Sequence, residues 1–327
     1  MIDRRTLLRL TSTALATGAG VRLARAQSYP AHPVRVIVPF APGGPPDIVA
    51  RTLAQKLSER LGQQFVIENM PGAGGNSGTG AAGRAAPDGY TLIVVSTGFF
   101  VNPSLYPRVP YDPVKSFAPI SLVASSPNVL MVHPSVPAKS LQELIELVKA
   151  SPGKYSYGHP GTGSAPHLSG ELLKLRFGLD IATVPFTAGP PAIMSTIGGH
   201  TPIAITSLPP ALANIREGKV RALAVTSAQR IASLPDVLTM AQSGADGQEA
   251  ETLNGLLAPA GTPKEIVSLL YGEIAKIMAM PDVAARLTAI GFQQLFTTPD
   301  EFAARIVVEV SKWGKVIHDA KIKVDGT

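Results

Sequence analysis

Cysteine is absent from all 327 residues. That excludes disulfides, iron–sulfur clusters, thiol nucleophiles and attachment of a lipid through a lipobox cysteine. Tryptophan occurs once and basic residues are spread singly, a pattern that does not suit a nucleic-acid surface. The six histidines (32, 133, 159, 167, 200 and 318) include no pair spaced to share a helical face, so the sequence offers no metal set. No G-x-S-x-G elbow, Walker loop or H-E-x-x-H motif occurs. Residues 78–83 (GTGAAG) match G-x-G-x-x-G, but they stand ten residues past their strand and lack the acidic residue a ribose would need. No cofactor is expected.

Long apolar runs are also missing. The moderately apolar segment 10–21 is too short to span a bilayer and follows Arg4-Arg5, in a segment resembling a twin-arginine export signal. Ala24-Arg25-Ala26 supplies the small residues of a cleavage site, so cleavage is expected after Ala26, with the mature chain starting at Gln27 in the periplasm. Removing 1–26 leaves 24 basic and 22 acidic residues, so the computed pI near 9.5 is mostly a property of the signal.

What is present is a repeated strand–glycine–helix unit. In 34–47 (VRVIVPFAPGGPPD) a β-branched run suits a strand buried on both faces. Gly43 and Gly44 turn the chain, Pro45 and Pro46 suit the first turn of a helix, and Asp47 complements its free N–H groups. Strands at 65–68 and 91–95 complete a βαβαβ half with a parallel sheet. Between them, 69–83 is the most glycine-dense stretch, with a loop at 72–75. Strands at 120–124 and 128–133 follow. A second half then repeats the plan, with strands at 155–157, 182–184, 203–205 and 220–225 and a glycine-rich transition at 158–167 (GHPGTGSAPH).

Capping boxes are expected at Ser140/Glu143, Thr262/Glu265 and Thr298/Glu301. The last launches a helix whose stripe, Phe302, Ile306, Val310 and Ile317, has no third sheet to cover and must return to the first half. The expected organisation is an α/β protein of two lobes, each a central sheet flanked by helices. Lobe 1 is discontinuous (27–125 and 253–327), lobe 2 spans 126–252, and the ligand cleft lies between them.

Small-residue loops at strand ends present amide donors and hydroxyls, among them Thr97, Thr162, Ser164, Thr187, Thr206 and Ser207. Such donors recognise carboxylates. Each charge-assisted hydrogen bond is worth ~1.5–3 kcal/mol and a helix N-terminus adds up to ~2. Four together suffice for micromolar binding, about 8 kcal/mol.

The runs PFAPGGPPDIVAR (39–51), ENMPGAGGNSG (68–78), PDGYTL (87–92), NPSLY (102–106), GTGSAPHLSGEL (161–172), IGGHTPIA (197–204), VRALAVTSAQR (220–230), GLLAPAGTP (255–263) and SKWGKVI (311–317) resemble, in order and end to end, the Bug family. These are the substrate-binding proteins of tripartite tricarboxylate transporters. The resemblance implies a type II-like periplasmic-binding-protein fold that closes on a small organic acid and delivers it to membrane permease subunits, as a monomer and without chemistry of its own.

Residue by residue, it implies ligand contacts at Gly43, Gly44, Pro45, Asp47, Gly74, Gly75, Asn76 and Thr97. From the second lobe it implies Gly161, Gly163, Ser164, His167, Thr187 and Ser207. Asp47 suits a helix cap as well as a ligand contact, and His167 a packed or capping residue. Departures from the family pattern add His159 with Pro160, and Phe99 with Phe100. The phenylalanines fit either an aromatic acid or core packing. The Thr206-Ser207 pair stands where relatives often have Asp, which argues against an amino-acid ligand. An exported enzyme acting on a carboxylate, or a ligand-sensing co-receptor, would use the same cleft. The enzyme lacks a visible nucleophile–base pair.

Overall fold

A computed structural model describes residues 29–319 and 321–323. The export-signal segment and the expected cleavage point lie outside the described residues. From His32 onward the chain forms one unit.

The β-branched run folds as β1 (Val34–Val38) and pairs in parallel with β2 (Phe65–Asn69) on one side and β3 (Thr91–Val95) on the other. Helix α1 (Pro45–Leu61) crosses between β1 and β2, burying Val49, Leu53 and Leu57. The glycine-dense stretch contains a 3-10 turn (Ala73–Gly75) at the expected loop and helix α2 (Asn76–Gly83) in the crossover to β3. Its glycines serve close approach. A Cβ on Gly78 would lie 2.7 Å from the Met70 carbonyl oxygen, and one on Gly80 would lie 2.5 Å from Pro110. Packing overrides their poor helix propensity. Helix α3 (Gly98–Leu105) follows β3.

Where the sequence predicts two strands, one 16-residue strand, β4 (Phe117–Val132), runs without a break. Its register slips between Pro119 and Ser121, where a missing ladder donor is tolerated, and Pro127 marks the end of its pairing with β9 (Glu251–Pro259). Beyond Pro127, β4 pairs with β7 (Ile203–Ser207) and β8 (Arg221–Val225). The remaining strands of this half are β5 (Ser156–His159), beside β7, and β6 (Ala182–Pro185), beside β5. Its helices are α4 (Leu141–Lys149), α5 (Ala165–Phe177), α6 (Gly189–Ile197) and α7 (Leu208–Arg216). The sheet order is β2-β1-β3-β9-β4-β7-β5-β6, so β4 is shared between the halves.

After β9 come α8 (Lys264–Met278), α9 (Pro281–Ala289), the short β10 (Gln293–Gln294) against β4, and α10 (Pro299–Asp319). Helix α10 returns to the first half as the stripe requires. Phe302, Ile306, Trp313 and Ile317 share a core with Phe99, Phe100 and Leu257. The Thr298 box forms in both directions, with Glu301 N–H donating to Thr298 Oγ1 at 3.2 Å and Thr298 N–H to Glu301 Oε2 at 2.8 Å. Ser140 accepts from Glu143 N–H at 3.2 Å, while the Glu143 carboxylate takes the Lys139 amide. Thr262 does not cap. Its hydroxyl donates to the Pro259 carbonyl to turn the chain out of β9, and α8 begins two residues later.

Candidate functional site

A parallel strand followed by a helix places the helix N-terminus at the C-terminal edge of the sheet. Both halves do this around one cavity. The first turns of α1, α3, α5, α6 and α7 all contribute to its wall. The first half supplies Phe40, Ala41, Gly44, Pro45, Pro46, Ser96 and Gly98. The second supplies Pro160, Ser164, Ala165, Pro166, Thr187, Ala188, Gly189, Ser207 and Pro210, and Thr252 comes from β9. Every lining side chain is uncharged.

Proline stands in the first turn of α1, α5, α6 and α7 and removes amide donors there. The donors left at the rim are correspondingly few. Among the described residues, the amides of Gly44, Thr187 and Ala188 have no acceptor. Converging helix N-termini and unpaired amides give positive potential without a cation. The hydroxyls of Ser96 and Thr187 add neutral donors, whereas Ser164 Oγ gives its proton to the Gly161 carbonyl and Thr252 Oγ1 gives its proton to Asn128 Oδ1. Ser207 Oγ in turn donates to Thr252 Oγ1 at 2.8 Å.

Of the residues singled out from sequence, Gly44, Pro45, Ser164, Thr187 and Ser207 line the cavity. The others stand behind that lining. The Asp47 carboxylate, 3% exposed, accepts from Gly43 N–H at 3.0 Å, Arg51 Nε at 2.9 Å and Asn69 Nδ2 at 2.9 Å. Burial alone would raise its pKa. The hydrogen bonds from Arg51, Gly43 and Asn69 outweigh burial and hold it below the ordinary carboxylate value. Asp47 therefore shapes the loop ahead of α1.

Thr97 Oγ1 donates to the Glu251 carbonyl and accepts from Leu253 N–H, tying α3 to β9. Asn76 Oδ1 accepts from Asn102 Nδ2 at 2.8 Å, and the same amide donates to the Gly74 carbonyl at 2.9 Å. Gly75 packs on Phe40, a lining residue. Phe99 stacks on Tyr111 with centroids 5.5 Å apart and meets Phe117 edge-on at 5.4 Å. It belongs to the core, so of its two predicted roles packing is the one observed.

The second-half loop is built on two histidines. Gly161 N–H donates to His159 Nδ1 at 3.2 Å, and Gly163 N–H donates to His167 Nδ1 at 3.3 Å. The rings are buried with centroids 4.5 Å apart. Burial, then the neighbouring His167, push the His159 pKa down to about 3. Ser164 Oγ accepts from His167 N–H at 3.3 Å and donates to the Gly161 carbonyl, which makes it the cap of α5.

The halves touch through glycines. Gly43 (φ +88°) faces Pro190, and a Cβ there would lie 3.2 Å from its ring. A Cβ on Gly163 (φ +82°) would lie 2.7 Å from Asn102 Oδ1 and 3.0 Å from Leu105. Gly74 lies against the Thr162 carbonyl. Among the described residues no cluster of His, Cys, Asp or Glu could hold a metal ion, and no helix is long and apolar enough to cross a membrane.

Residues 49–322 match the family described as "Tripartite tricarboxylate transporter family receptor". The chain is 36% identical to protein BugT of Bordetella pertussis over 320 residues, covering 97% of this chain and 98% of BugT. It is similar to the solved periplasmic binding protein BugD, with TM-score 0.86, 36% identity, and 90% of this chain and 99% of BugD covered. It is equally similar to Rpa4515 of R. palustris, solved with adipate, with TM-score 0.87, 34% identity, and coverage of 90% and 99%.

Proposed function

The chain belongs to the tripartite tricarboxylate transporter receptor family, and from that premise we propose that its ligand is a short aliphatic carboxylic acid enclosed between two lobes that share β4. It is a periplasmic solute-binding protein for a small organic acid, with a curled sheet flanked by helices. The observation that carries the ligand class is the convergence of five helix N-termini on a cavity with no charged lining residue, with Gly44, Thr187 and Ala188 in its wall and their amides without an acceptor among the described residues. A carboxylate would satisfy those amides and gain from the dipoles. An ammonium would find no partner. Proline and alanine side chains suit an aliphatic body, and adipate in Rpa4515 is such a molecule. Lobe 1 is taken as 27–125 with 253–327 and lobe 2 as 126–252, with the leader removed after Ala26. The protein would act as a monomer, binding without chemistry and delivering the acid to the permease subunits of the transporter.

The test is a thermal-shift screen of the purified protein with succinate, malate, adipate, benzoate, the matching amides and a set of amino acids. At a hundred times its Kd an acid adds about 2.7 kcal/mol of stability, a shift of several degrees. Stabilisation by aliphatic acids and not by their amides is expected. Stabilisation by amides or amino acids alone would overturn the assignment.

A further inference from the structure

We infer that His159 and His167 are a pair of positioning residues for acid binding, holding the loop 160–166 in place through two backbone amides. The inference rests on the reading of the cavity as an acid site. Pro160, Ser164, Ala165 and Pro166 of this loop line the cavity, while neither imidazole does. Any effect of the rings on the ligand therefore passes through the loop.

His159 Nδ1 takes the amide two residues on, in the manner of an Asx turn, and His167 Nδ1 takes the amide four residues back. An imidazole that accepts at Nδ1 is neutral and carries its proton on Nε2. His159 Nε2 is buried with no partner among the described residues, so nothing but the Gly161 bond and packing repays burying this ring. On its outer side the same loop abuts the first half. Gly163 meets Asn102 and Leu105, and the Thr162 carbonyl meets Gly74. A loop that slackened would lose both its cavity wall and its seat on the opposite half.

The titratable groups around the pair are few. The Tyr157 ring lies 5.7 Å from His159, and its hydroxyl donates to Glu171 at 2.8 Å. Glu171 also accepts from Lys174 at 3.0 Å and Thr183 at 3.1 Å. The neighbouring β6, β7 and α6 carry no ionisable side chain. Arg176 lies near the far end of α5 and bonds Asp246. Each ring takes a backbone amide at Nδ1, so each imidazole serves as an acceptor there.

The test compares His159→Leu and His167→Leu, which delete the acceptor, with His159→Asn and His167→Asn, whose Oδ1 can take the place of Nδ1. Adipate binding is titrated at pH 7.5, and amide exchange is followed across 159–167. Each Leu variant is expected to weaken adipate about tenfold, as losing one buried hydrogen bond implies. Each Asn variant should stay within about threefold of wild type, with the Gly161 and Gly163 amides still protected. His159→Gln, which moves the acceptor outward by one carbon, serves if a Leu variant does not fold, and should weaken binding likewise. Leu variants that bind like wild type, or Asn variants that fall as far as Leu, would overturn the inference. If wild type binds neither adipate nor another acid, the acid-site reading fails. The exchange rates then decide the role of the histidines on their own: rapid exchange in Leu but not Asn supports it, and equal protection in all variants refutes it.

Discussion

The two walls of the cavity are held up by opposite chemistry. Behind the first-half wall stands an ionised carboxylate, Asp47, bound by Arg51, Asn69 and the Gly43 amide. Behind the second stands a tilted pair of imidazoles, each accepting a backbone amide at Nδ1. Neither support enters the cavity, and Arg51 offsets the one charge. An incoming anion therefore meets helix N-termini and amides rather than a carboxylate. The walls also differ in what they present. The first offers a single hydroxyl, Ser96, among glycine, proline and phenylalanine, whereas the second offers Ser164, Thr187 and Ser207.

The largest expected effect breaks this comparison with acid. A histidine whose folded pKa lies below its unfolded value contributes stability that is complete above the unfolded pKa, about 6.5. That contribution is lost as pH falls toward the folded value, which for His159 is about 3. The lowered pKa of Asp47 keeps its own contribution intact until far lower pH. Between pH 6.5 and 5 the second wall should therefore weaken alone. The loss is about 1.4 kcal/mol per pH unit, roughly 2 kcal/mol by pH 5. Urea unfolding at pH 7.5 and 5.0 reads the difference, which should flatten in His159→Asn. Amide exchange should quicken at 161–167 and not at 43–47. Equal loosening of both loops at pH 5 would remove the distinction.

A smaller effect sharpens the contact between the halves. Gly43 and Gly163 both have positive φ, so alanine costs each about 1–2 kcal/mol of backbone strain. The added methyl differs. At 163 it would drive into Asn102 and Leu105, whereas at 43 it only tightens against Pro190. Gly163→Ala should therefore weaken acid binding, and lower thermal stability, clearly more than Gly43→Ala. Reversal of that order would mean that the loop 160–166 is not seated on α3.

These contrasts mark how far the sequence can be read. The strand–glycine–helix units and the return of α10 were legible because β-branched runs and helical stripes are local periodic signals. The five lining residues among the predicted set follow from the same logic, since a strand end that opens a helix must face the sheet edge. Thr97 and Phe99 satisfy that rule in sequence and still turn away. The Thr97 partners lie on β9, 154 and 156 residues along the chain, and α3 rotates Phe99 onto Tyr111 and Phe117. Thr252 and Phe40 gave no local signal, because β9 reaches the cavity only through sheet pairing. The close packing that the glycines of 76–83 serve showed only once their neighbours, Met70 and Pro110, were known.

The smallest effect separates a cap that serves binding from one that serves only folding. Ser140 and Ser164 are both N-caps with the side chain accepting from the amide three residues on, at 3.2 and 3.3 Å. Replacing either by alanine should cost about 1 kcal/mol of stability. Ser140 begins α4 at a distance from the cavity lining. Ser164 lines the cavity, and its hydroxyl also closes the loop on the Gly161 carbonyl. Ser164→Ala should thus lower acid affinity roughly tenfold by releasing the loop from its tie to the Gly161 carbonyl, the worth of one buried hydrogen bond, while Ser140→Ala leaves it unchanged. Calorimetric titration of both variants, beside their melting temperatures, tests this. Equal melting temperatures with unequal affinities would show that the Ser164 hydroxyl serves binding through the loop it closes. Equal affinities would return it to the helix alone and leave acid recognition in the second wall to Thr187 and the amides.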